Sequence, residues 1–148
     1  MSQVVAGRAG LWQGAPMKPM IALAFFALSS VPAAGQTPMT AAEFEAYTTG
    51  KTLTFSADGQ VYGIEEYLDG RRVRWAFLED QCQDGFWYPQ GEMICFIYEA
   101  IEAPQCWTFY EGPAGLTAQF ENEGGSTTLF ETRQTDEPLV CLGPEVGV

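Results

Sequence analysis

The sequence predicts an all-β protein: an antiparallel meander of about eight strands, rolled or closed into a small barrel, behind one short N-terminal helix. Three observations carry that prediction. Beyond Gly50 the apolar residues follow a period of two, the apolar runs are short, and the breaks between them ("DG", "QDG", "QGE", "EGPAG", "ENEGG") have turn compositions. With almost no helical pattern between the runs, consecutive strands have to pair antiparallel.

The first element is the helix, expected over Thr40 to Thr48. Thr40 is placed to cap it, Glu43 to complete a capping box and Gly50 to stop it, with Phe44 and Tyr47 sharing the buried side. Two dipeptides favoured in two-residue type I′ turns, Asp58-Gly59 and Asp69-Gly70, then register a three-stranded meander over Leu53 to Leu78. The first turn sets Phe55 opposite Tyr62 and Leu53 opposite Ile64; the second sets Ile64 opposite Trp75 and Tyr62 opposite Phe77. In this register Glu65 meets Arg74 and Tyr67 meets Arg72 on the solvated face, while Glu66 turns toward the apolar side near Val73. Further strands are expected at Phe86 to Pro89, Met93 to Glu99, Gln105 to Tyr110, Leu116 to Phe120 and Thr127 to Thr132, with "AIEAPQ" and "EGPAG" as loops.

The folded part is expected to begin well inside the chain of 148 residues. Lys18 between Met17 and Met20, the apolar run "IALAFFALSS" and the small residues of "VPAAGQ" have the three-part layout of a secretory signal peptide over residues 17–35, cut after Ala33 or Gly35. Residues 1–16 form an N-terminal extension, with translation starting at Met17 as an alternative, and residues 36–148 form a single exported domain. The apolar run is about half of the ~20 residues that a spanning helix needs, so no stable membrane insertion follows cleavage. The expected location is periplasmic or secreted.

From Gln36 onward five basic residues (Lys51, Arg71, Arg72, Arg74, Arg133) stand against all 19 acidic ones, a net charge of −14. Such a surface repels phosphate, which excludes nucleic acid and anionic lipid as partners. The four cysteines, Cys82, Cys95, Cys106 and Cys141, all fall in this segment and read as two disulfides with three possible connectivities. Cys95–Cys106 with Cys82–Cys141 is favoured. A bond between Cys95 and Cys106 sets Ile94 opposite Trp107 and Phe96 opposite Gln105, and separates an aromatic face (Phe96, Tyr98, Trp107, Phe109) from the face holding the sulfurs.

The chain has no histidine, which removes Ser-His-Asp and Cys-His catalysis and most histidine metal sites. "DQCQDG", Asp80 to Gly85, begins like a calcium loop but carries Cys82 and Gly91 where that loop needs an oxygen ligand and a glutamate. No cofactor or metal is expected. An inward Glu66 has the best claim to chemistry: a carboxyl buried there would have a raised pKa and grip a cationic or hydroxylated ligand, whereas at the rim it would only pair with Arg71. The ligand-binding candidates are therefore Glu66 with Trp75, Phe77, Phe96 and Trp107.

The stretches "CQDGFW" (Cys82 to Trp87), "ICFIYE" (Ile94 to Glu99) and "CWTF" (Cys106 to Phe109), in that order and spacing, resemble a family of small exported alphaproteobacterial proteins of unknown function. The resemblance spans Gly50 to about Leu116 and implies export and disulfides, but no reaction, ligand or catalytic residue. The functional expectation is a non-enzymatic exported binding or interaction module whose partner is a small apolar ligand or an envelope protein. The alternatives are an acid/base enzyme using Glu66 with Tyr62 or Tyr98, and an envelope inhibitor or interaction protein.

Overall fold

Thr40 starts the fold as the sequence predicts. Its hydroxyl accepts from the Glu43 amide at 3.3 Å while the Glu43 carboxylate accepts from the Thr40 amide at 2.8 Å, a complete capping box on helix α1 (Ala41–Thr48). In the computed structural model, which describes Gly10, residues 36–77 and residues 81–141, the unit formed by residues 34–148 continues from this helix into an all-β fold. The expected extension and signal peptide, residues 1–35, and Asp80 of the calcium-like stretch lie outside the described residues, apart from Gly10.

Eight strands follow: β1 (Thr52–Ala57), β2 (Gln60–Tyr67), β3 (Arg72–Phe77), β4 (Gln83–Gln90), β5 (Met93–Tyr98), β6 (Ile101–Gly112), β7 (Gly115–Phe120) and β8 (Thr128–Thr135). Each pairs antiparallel with its neighbours, and β8 returns to β1, closing an up-and-down barrel. Closure gives every one of the described strands a paired neighbour on both sides. β6 is longer than the sequence suggests and takes in most of "AIEAPQ". Pro104 argues against a strand because it has no amide hydrogen, but it sits where the β5–β6 register shifts and no ladder donor is needed.

The register of β2 is corrected by one residue. At the first hairpin Ala57 pairs with Gln60 across an Asp58-Gly59 turn with both φ angles positive, as expected of a type I′ turn. A bulge at Tyr62 then shifts the pairing, so that Phe55 faces Gly63 and Leu53 faces Glu65. At the second hairpin the loop has three residues, Asp69–Arg71, with Arg71 joining Gly70 at positive φ; Glu65 therefore faces Trp75, and Glu66 faces Arg74. A one-residue slip exchanges the two faces of a strand. Glu65 thus points into the barrel, while Glu66 lies on the outer side, its carboxylate 3.8 Å from Arg74, which also donates to Asp84 at 2.8 Å.

The other strands face as expected. Ile94 pairs with Trp107, Cys95 with Cys106 and Phe96 with Gln105. The two disulfides are Cys95–Cys106 and Cys82–Cys141. The second anchors a tail that the Thr52 hydroxyl also holds by donating to the Glu137 carbonyl at 2.7 Å.

The two ends of the barrel differ. At one end α1 drives Phe44, fully buried, between Tyr67, Trp87, Phe96 and Phe109, with ring centroids 4.5–6.2 Å away. Arg71 locks the helix there, pairing with Glu45 at 3.0 Å and lying 4.6 Å over the Trp87 ring. On the same helix Tyr47 donates to Glu131 at 2.8 Å, and burial followed by that hydrogen bond raises its pKa. The other end is flanked by the turns at 58–59, 99–100 and 121–127, and among the described residues no helix covers it.

Candidate functional site

The open end leads into a cavity between β1, β2, β3, β5, β6 and β8. Trp75, Phe77, Phe96 and Trp107, four of the five candidates read from the sequence, all line it. Phe55, Phe109 and Leu129 add to the apolar wall, and Tyr62, displaced by its bulge, packs on Trp75 and Phe77 with centroids 5.9 and 5.7 Å apart. Glu66 is not among the lining residues. Glu65 takes that place, with Tyr98 and Gln105 as its polar company in the wall.

Glu65 is only 4% exposed. Tyr98 donates to one of its oxygens at 2.6 Å and Tyr67 to the other at 3.2 Å. Burial pushes the Glu65 pKa up to about 8, and the two hydrogen bonds, which favour the anion, only partly offset it. Burial and the neighbouring Glu65 hold both tyrosines well above the usual phenol range, so they stay protonated donors at any physiological pH.

Two glycines that the sequence reading passed over make room for this group. A Cβ on Gly63 would lie 2.2 Å from the Trp75 ring, and one on Gly85 would lie 2.2 Å from the Ile97 carbonyl and 2.9 Å from the Tyr98 ring. With side chains at these two positions neither ring could lie as it does against β2 or β4. The signal that could have found them is the isolated glycine inside a strand pattern, which marks a close approach of another group.

The cavity encloses about 70 Å³ of water-accessible space, within about 510 Å³ of atom-free volume that includes the mouth. The first figure is about half of the ~150 Å³ that takes a benzene molecule in an engineered protein core. The recess therefore admits a small chemical group, and the rest of a ligand would lie in the aromatic mouth. Among the described residues no cluster of three or more acidic or cysteine side chains could hold a metal ion.

No protein-family model, curated protein or solved structure matches the chain. The two disulfides are a mark of an oxidising, non-cytoplasmic environment. Among the described residues no helix is long and apolar enough to cross a membrane.

Proposed function

We propose that the protein is a non-enzymatic binding module that takes a small, mainly apolar molecule with one polar group into the open end of its barrel. The observation that carries this reading is the pairing of a filled end with a hollow one. Barrels of this size are often packed solid by their own side chains, and here α1 and Phe44 pack one half while the other keeps an aromatic recess around a single carboxyl. Convergent polar atoms in an otherwise apolar concavity are the usual make-up of a small-molecule site.

With residues 17–35 as a cleaved signal peptide, the module works in the periplasm or as a secreted protein; its acidic surface and paired cysteines support that placement. The exported family that its cysteine-aromatic stretches resemble would then be a family of such binders.

Displacement of the neutral fluorophore N-phenyl-1-naphthylamine tests the reading. Saturable one-to-one uptake is expected, with quenching of tryptophan emission from Trp75 and Trp107. Leu129→Phe, which enlarges a residue of the wall, should weaken uptake at least tenfold while circular dichroism shows the barrel intact. Absence of saturable uptake, or equal uptake by a folded Leu129→Phe variant, would overturn the proposal.

A further inference from the structure

Glu65 is a buried carboxyl facing a cavity, and no basic side chain of the described protein answers it. Arg74 is engaged on the outer surface with Asp84 and Glu66, Arg71 at the closed end with Glu45 and Trp87, and Lys51 over the Tyr47 ring at 4.6 Å. No hydrogen bond or ion pair links Glu65 to Arg72 or Arg133 either. The titratable groups bonded to it are the hydroxyls of Tyr67 on β2 and Tyr98 on β5; Tyr62 and Glu131 stand further off, and both act on those tyrosines.

Buried carboxylates are ordinarily paired with a cation or else neutralised by a proton. Here the two tyrosine donors are aimed at the anion, and each carboxyl oxygen keeps a further lone-pair direction. Around it the walls present the rings of Trp75, Tyr62, Phe77 and Trp107, whose faces attract cations. The charge of the whole domain concentrates cations at its surface as well.

We infer that the ligand of the cavity is an organic amine, whose ammonium enters the recess to pair with Glu65 while its apolar body lies among the aromatic side chains of the mouth. This inference rests on the reading of the cavity as a small-molecule site and specifies the ligand's polar group. Below pH 8 Glu65 is mainly protonated, so binding converts the acid and the free ammonium ion into a carboxylate–ammonium pair and releases one proton to solvent. Affinity for the amine should then rise up to tenfold per pH unit between pH 5 and about 8 and level off above, as long as the amine itself stays protonated. Size agrees with this assignment: the recess suits an ammonium or methylammonium group better than a ring.

Titration with a matched pair, n-hexylamine and hexan-1-ol, competing against N-phenyl-1-naphthylamine, tests the inference. The amine is expected to bind at least tenfold more tightly than the alcohol at pH 8, and Glu65→Gln should abolish that preference. Calorimetry of the unaltered protein at pH 6.5, in two buffers of different ionisation enthalpy, should show close to one proton released per amine bound; this readout holds even if the Glu65→Gln variant fails to fold. Equal affinities for amine and alcohol, or no proton release, would overturn the amine assignment and leave the small-molecule reading standing. Absence of saturable binding by the fluorophore and also by both six-carbon compounds, followed directly through tryptophan emission, would remove both.

Discussion

Glu65 sets how the molecule responds to pH. Its carboxyl titrates at about 8 in the folded protein and near 4.5 when the chain is unfolded. Between those values the folded chain holds a proton that the unfolded chain has already lost, so this residue's contribution to stability is complete below about pH 4.5 and is lost as pH rises toward 8. The slope is at most about 1.4 kcal/mol per pH unit. Urea denaturation at pH 5, 6, 7 and 8 should show the unaltered protein weakening across the series and Glu65→Gln showing a much flatter dependence; parallel curves would mean that Glu65 titrates normally. The residue itself was half legible in the sequence. A carboxylate beside tyrosines and tryptophans could be expected to matter, but which of Glu65 and Glu66 faces inward depends on one residue of register. The bulge at Tyr62 has only the adjacent isolated Gly63 as its mark, and the positive φ of Arg71 has none, since glycine or asparagine would ordinarily signal such a φ.

The helix is the element on which the asymmetry of the barrel depends. Its existence and limits follow from Thr40, Glu43 and Gly50, because capping is a local interaction between residues three apart. That it would plug a barrel was not legible, since the contacts of Phe44 join it to residues far along the chain. Phe44→Ala should cost about 3–5 kcal/mol through the cavity it leaves among four aromatic rings, against about 1 kcal/mol for Thr40→Ala at the cap. Equilibrium denaturation of both variants checks this ordering, and a smaller loss for Phe44→Ala would mean that the helix is an accessory. The β5–β6 hairpin shows the opposite case. There a covalent bond between Cys95 and Cys106 dictates which residues oppose each other, so the register and its aromatic face could be read without knowing the turn.

At the scale of the whole molecule, strand number, direction and the number of disulfides were within reach of the sequence, because alternation, turn composition and cysteine parity are properties of the chain itself; of the three connectivities, the favoured one is the one found. Closure of β8 onto β1 could be read only as one of two outcomes, a rolled sheet or a small barrel, and the hollow at one end could not be read, being a consequence of how eight strands fill or fail to fill their interior. The Cys82–Cys141 bond, with its sequence separation of 59, also makes the molecule unequally tolerant of damage. A protease that cuts after Glu123, in the exposed 121–127 turn, leaves two pieces still joined through this bond; a cut after Asp58 frees a piece with no cysteine at all. On a denaturing gel without reductant the first product should run as one species and split only on reduction, whereas the second should separate either way. Two separate bands from the Glu123 cut without reductant would refute the pairing. A break anywhere between the two cysteines is thus survivable as a covalent unit, while the first hairpin, which carries Glu65, has no such insurance.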